Sequence, residues 1–154
     1  MASDVLAELR ATFFEECEEQ LTELESGLLQ MQAGQRDRET VNAVFRAVHS
    51  VKGGAGAFEL DTLVTFAHTF ETALDAVRSD RLDPSDDLIR VMLRCADVLN
   101  DLVAAARQGD DVDEGHWREL ADEIAAFTAS GAPPAAKAEA PLAEPEPPAA
   151  PQPP

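Results

Sequence analysis

Apolar residues recur at alternating spacings of three and four from the start of the chain: Leu6, Leu9, Phe13, Cys17, Leu21, Leu24, Leu28 and Met31. That period lines them up as one stripe of a helix over residues 4 to about 32. Glu8, Glu15, Glu16, Glu18, Glu19, Glu23 and Glu25 form the solvated side, and Gly34 is a natural helix stop. A second helix opens near Asp37 to Glu39, residues that suit a helix N-terminus. Its stripe is Val41, Val44, Phe45, Val48, Val51 and Ala55. A third runs from about Asp61, the expected N-cap, to Ser79, with Leu63, Val64, Ala67, Phe70, Leu74 and Val77 facing inward. Asp83-Pro84-Ser85 announces a fourth helix. It carries Leu88, Val91, Met92, Cys95, Leu99, Leu102 and Ala106 and ends at Gly109. A shorter fifth helix holds Trp117, Leu120, Ile124 and Phe127. No strand-like alternation appears. The pattern predicts an all-α fold, and short connectors favour antiparallel neighbours in an up-down bundle.

Composition changes at Gly131. Every proline except Pro84 lies beyond it, among alanine and glutamate. Such a stretch has little apolar surface to bury, so residues 1–130 are read as the folded domain and 131–154 as a disordered Pro/Ala/Glu-rich linker. A linker of this kind leads to the expectation that the chain is a fragment of a longer protein.

Charge narrows the partners. With 12 basic and 30 acidic residues the formal charge is −18, which argues against nucleic acid and anionic membrane surfaces. No apolar run reaches the ~20 residues of a membrane span, and Met1-Ala2-Ser3-Asp4 does not resemble a signal peptide. Cys17 and Cys95 fall on apolar stripes, so core thiols and a reduced, cytoplasmic setting are expected. The acidic run Asp110 to Gly115 lacks the alternation and terminal glutamate of a calcium loop and reads as a helix start.

The chemistry concentrates in His49-Ser50-Val51-Lys52-Gly53-Gly54-Ala55-Gly56. Three glycines in four residues weaken a helix by roughly 1 kcal/mol each relative to alanine. Their use here suggests bare backbone that a partner can approach closely. His49 lies on the shoulder of the second stripe, with Lys52 a helical neighbour at i+3. Glu71 falls inside the third stripe, where a lone carboxylate is costly unless paired, and His68 stands on its shoulder. Antiparallel packing of the two helices would let these groups meet. The order His-x-x-Glu, occurring once, does not match a di-iron bundle.

Phe45-Arg46-Ala47-Val48-His49-Ser50-Val51-Lys52-Gly53-Gly54-Ala55-Gly56, followed by His68 and Glu71, resembles the histidine phosphotransfer (Hpt) domain family. More narrowly, it is similar to the phosphoacceptor domains of CheA-type chemotaxis histidine kinases. The resemblance covers residues 4 to about 130 and implies four helices in an up-down bundle with a fifth attached. It implies that His49 is the phosphoacceptor, that Lys52 and His68 flank it, and that Glu71 holds its ring. Gly53 and Gly56 are expected to keep a docking surface flat. The chain has no nucleotide-binding loop of the Gly-Lys-Ser/Thr type. No cofactor is therefore expected in this domain, and ATP and magnesium would be presented by the ATP-binding catalytic domain of a CheA-type kinase. Receiver domains of response regulators, CheY-type and CheB-type, would take the phosphoryl group to an aspartate. The domain would thus act in two-component signalling as part of a protein-histidine kinase. The alternatives are a separate phosphorelay intermediate and a non-catalytic helical interaction domain.

Overall fold

The computed structural model describes residues 2–131, and the side chains of residues 4–129. Five helices follow one another: α1 (Ala2–Gln32), α2 (Arg38–Ala57), α3 (Asp61–Arg78), α4 (Asp86–Gln108) and α5 (Glu114–Gly131). The expected linker lies, apart from Gly131, outside the described residues.

The order of packing gives the architecture. α1 lies against α2 and α4, and α3 against α2, α4 and α5, while the backbones of the diagonal pairs α1/α3 and α2/α4 do not approach closely. Four helices therefore form a ring in chain order, and α5 covers the seam between α3 and α4. Short connections between consecutive helices make the ring run up and down. The core is continuous, from Phe14, Leu24, Leu28 and Met31 of α1 through Val48, Phe66, Phe70 and Leu74 to Met92 and Leu99. Trp117 of α5 seals it with its ring edge-on to Phe66, centroids 6.3 Å apart at 81°.

The helix ends follow from local hydrogen bonding. Asp37 caps α2 by accepting from the Thr40 amide at 3.3 Å and the Thr40 hydroxyl at 2.7 Å. These bonds hold its carboxyl below the usual carboxylate range. Ser85 caps α4 by accepting from the Leu88 amide at 3.2 Å. Gly34 and Gly109 end α1 and α4 at positive φ, as their sequence positions suggest. α2 and α3 end in the same hydrogen-bond pattern, yet with Glu59 (φ 58°) and Asp80 (φ 63°) in the left-handed position. At the start of α3 the expectation of an Asp61 cap is corrected. Asp61 is the first helical residue, and the cap position is Leu60, which supplies no side-chain bond. The chain enters α3 directly from the closing motif of α2, where the Leu60 amide donates to the Ala55 carbonyl at 3.0 Å.

A second correction concerns the first stripe. Leu6 and Leu9 are more than half exposed, whereas Phe14, off the expected stripe, is buried. α1 has 31 residues against 20 for α2 and 23 for α4, so at ~1.5 Å per residue it overhangs them. Arg10 marks the edge of the bundle: its guanidinium donates to the Ala106 carbonyl near the end of α4 at 2.7 Å. Residues before it run beyond the neighbours that would bury them.

Candidate functional site

The site lies on the α2/α3 face. α2 continues as a helix through Gly53, Gly54 and Gly56 to Ala57. His49 sits on its outward shoulder, with 60% of its side chain exposed. From α3, Glu71 projects into the interface and keeps only 10% of its side-chain surface. It is one of two buried polar residues among those described, the other being Thr40. The apolar stripes of both helices force this placement. Once Phe70 and Leu74 pack inward, residue 71 must lie at the seam with α2.

Glu71 is paired twice. Its Oε2 bonds Nδ1 of His49, and its Oε1 accepts from Nζ of Lys52 at 2.6 Å. His68, one turn earlier on α3, brings its Nδ1 to 3.8 Å from the same Oε1. Of the four polar residues singled out in the sequence, three are therefore gathered around the carboxylate of the fourth. Burial alone would raise the Glu71 carboxyl. The hydrogen bonds and charges of Lys52 and His49 outweigh it, and the net displacement is downward. Glu71 is thus an anion at neutral pH, which makes it the acceptor and His49 Nδ1 the donor. In the neutral ring a proton on Nδ1 puts the lone pair on Nε2, and Nε2 makes no hydrogen bond among the described residues. The result is an exposed, oriented imidazole whose Nε2 is free of partners among the described residues.

The glycines divide by role. A Cβ at Gly53 or Gly56 would meet nothing within 4 Å, so these two leave bare, exposed backbone on the face that carries His49. A Cβ at Gly54 would collide with the Phe13 ring of α1. Gly54 is therefore bare for packing, as is Gly27 in α1, whose added Cβ would come within 2.5 Å of Val44. The sequence pattern singles out Gly53 and Gly56 for docking but gives no packing role to Gly54 and does not mark Gly27. It also passes over the surroundings of the imidazole. Phe45, read as core, is half-buried and stacks near His49, with Arg78 of α3 over its ring. The i, i+4 spacing of Phe45 and His49 was a readable signal; nothing local pointed to Arg78.

Comparison with known proteins places the chain in a family. A family model described as the Hpt domain matches residues 8–127. The chain is 61% identical over 138 residues to chemotaxis protein CheA of Rhizobium meliloti (strain 1021), covering 90% of this chain and 18% of that protein. It is 50% identical over 108 residues to chemotaxis protein CheA of Cereibacter sphaeroides, covering 68% and 16%. The chain thus spans less than a fifth of the length of these relatives. Among solved structures, the phosphorylated P1 domain of CheA3 in complex with CheY6 from R. sphaeroides superimposes with a TM-score of 0.75 at 26% identity, covering 81% of this chain and 98% of that one. The solution structure of a histidine phosphotransfer domain of CheA gives 0.69 at 27% identity, covering 82% and 93%.

Proposed function

The chain belongs to the Hpt domain family, and from that premise we propose that residues 1–130 are the phosphoacceptor domain of a CheA-type chemotaxis histidine kinase. Residues 131–154 would link it to the rest of the kinase. The observation that carries the reading is the orientation of His49 by an ionised Glu71.

The reaction follows from that geometry. The Nε2 lone pair of His49 attacks the γ-phosphorus of ATP held by the partner kinase domain with magnesium. An N–P bond forms as the bond from that phosphorus to the bridging oxygen breaks, and ADP leaves. Nδ1 keeps its proton, so the ring becomes cationic, and the Glu71 carboxylate balances that charge at contact distance. Phosphoryl transfer needs little from the protein beyond positioning and electrostatic support, and both are present. Lys52, bonded to Glu71 while the ring is unmodified and a quarter exposed, is close enough to turn its ammonium toward the phosphoryl oxygens once they arrive. In the return step an aspartate carboxylate of a CheY-type or CheB-type receiver attacks phosphorus, the N–P bond breaks, and the imidazole regains its lone pair. Gly53 and Gly56 clear the surface that both partners must approach. Among the described residues no helix is long and apolar enough to cross a membrane, and a cytoplasmic setting fits the two buried thiols.

The test is direct. Incubated with Mg-ATP and a CheA-type kinase domain, the chain should acquire one acid-labile, base-stable phosphate and lose it to a receiver domain. His49→Gln should abolish labelling. Labelling that survives the substitution, or that resists acid, would assign the acceptor elsewhere.

A further inference from the structure

Phe45 stands one turn before His49 on α2, so the two side chains share a face. Their rings lie nearly parallel, at 11° with centroids 5.8 Å apart. Phe45 is held in turn from α3: the Arg78 guanidinium lies 3.8 Å from its ring centroid, a cation–π contact. Arg78 is bound by Asp75, one turn earlier on the same helix, at 2.7 Å. Asp75 also takes Arg81 at 3.3 Å, so the end of α3 is a braced platform under the aromatic ring.

A mostly exposed imidazole has two side-chain torsions to restrain. The bond from Nδ1 to Glu71 fixes one atom of the ring and leaves an arc through which the plane can tilt. An aromatic ring parallel to that plane narrows the arc, because tilting loses the stacking contact. The direction of the Nε2 lone pair depends on the tilt, and in-line attack tolerates little misalignment. We propose that Phe45 is a positioning residue for phosphoryl transfer: braced on Arg78, it sets the plane of the His49 ring and so aims Nε2. This rests on His49 being the acceptor. Phe45 touches neither donor nor phosphate in this scheme, and it acts before any partner docks.

Because the effect belongs to the ring and not to docking, a donor that needs no docking exposes it. The intact chain and its Phe45→Leu, Phe45→Tyr and Arg78→Met variants would be phosphorylated by the small donor phosphoramidate and, separately, by Mg-ATP with a CheA-type kinase domain. The ring nitrogens of His49 would be followed by nitrogen NMR, and folding by circular dichroism. Phe45→Leu should slow both reactions by a common factor of about three to ten and lower the fraction of the Nδ1–H tautomer. Phe45→Tyr should restore both. Arg78→Met should move both in the same direction by about twofold. Unchanged rates in folded Phe45→Leu would overturn the proposal. A loss confined to the kinase-domain reaction would also overturn it, since Phe45 would then be a contact for the partner. Should Phe45→Leu fail to fold, unchanged rate and tautomer in Arg78→Met would overturn it equally. Absence of label on His49 in the unsubstituted chain would overturn the phosphoacceptor reading itself, and is recognised by failing before any substitution is made.

Discussion

Glu71 shows how a single residue can be poorly suited to its helix and well suited to its site. It interrupts an apolar stripe, and its carboxylate is retained there by two donors from α2. Replacing it by alanine removes the acceptor and leaves Lys52, which is a quarter exposed and can turn toward water. Glu71→Ala should therefore stay folded, losing about 1–2 kcal/mol through a small cavity and the unmade bonds. The reaction should lose more. The imidazole loses its fixed tautomer, and the phosphorylated ring loses its counter-charge. A hydrogen bond to a charged group contributes ~1.5–3 kcal/mol, so the initial phosphorylation rate should fall roughly ten- to a hundredfold. A wild-type rate, measured beside an intact unfolding curve, would remove Glu71 from the mechanism. The pH dependence has a definite sign. The folded carboxyl titrates below its ordinary 4.5, so its stabilising contribution is present above that value and is lost as pH falls through the lower folded one. The stability gap between wild type and Glu71→Gln, from urea unfolding at each pH, should be open at pH 7 and close on acidification. The thiols need no role in this chemistry. Cys17 and Cys95 are buried, and burial pushes Cys17 up to about 12 and Cys95 also upward.

Within α2 the same residue type answers to opposite demands. Gly53 and Gly56 face open space, while Gly54 faces the Phe13 ring. Alanine at 53 or 56 should raise stability by about 0.5–1 kcal/mol, because helix propensity improves and nothing is displaced. Alanine at 54 should lower it by about 1–3 kcal/mol through overpacking. Urea unfolding of the three variants checks the signs. If the exposed glycines serve docking, leucine at 53 or 56 should slow transfer to a receiver while leaving phosphorylation by phosphoramidate unchanged. The helix ends were legible where glycine made them, at Gly34 and Gly109. The end of α3 was also legible, expected at Ser79 and capped there; what no glycine announced is the positive φ of Glu59 and Asp80 in the closing hydrogen-bond motifs.

At the scale of the whole molecule, one loop residue ties the bundle's end together. Arg36 donates to the Met31 carbonyl at 2.9 Å, to the Pro84 carbonyl at 2.7 Å, and to Asp86 at 2.5 Å. It thus joins the end of α1 to the α3–α4 connection and the start of α4. Its side chain is 28% exposed, so part of this bonding is shielded from water. Arg36→Ala should lower stability by about 1–3 kcal/mol and the unfolding midpoint by roughly 3–10 °C. Phosphorylation of His49 at temperatures where the variant is folded should be unaffected. A thermal scan with a parallel rate measurement checks both halves. Nothing in the spacing of Arg36 marked it for this task, since its acceptors lie as far away in sequence as Pro84 and Asp86.

The periodicity of apolar residues determined five helices, the greater part of their inward faces and the misfit of Glu71, because a helix is a local structure whose buried stripe is written in consecutive residues. The gathering of His49, Lys52, His68 and Glu71 could be anticipated, since antiparallel neighbours joined by a short turn have few ways to align. The tertiary structure alone decided which carboxylate oxygen meets which donor and that Arg78 braces Phe45. It alone also decided that Gly54 packs where Gly53 does not, and that Leu6 and Leu9 overhang the bundle. Each of these depends on distances between separate helices, which helix length and packing set and no single stretch of sequence contains.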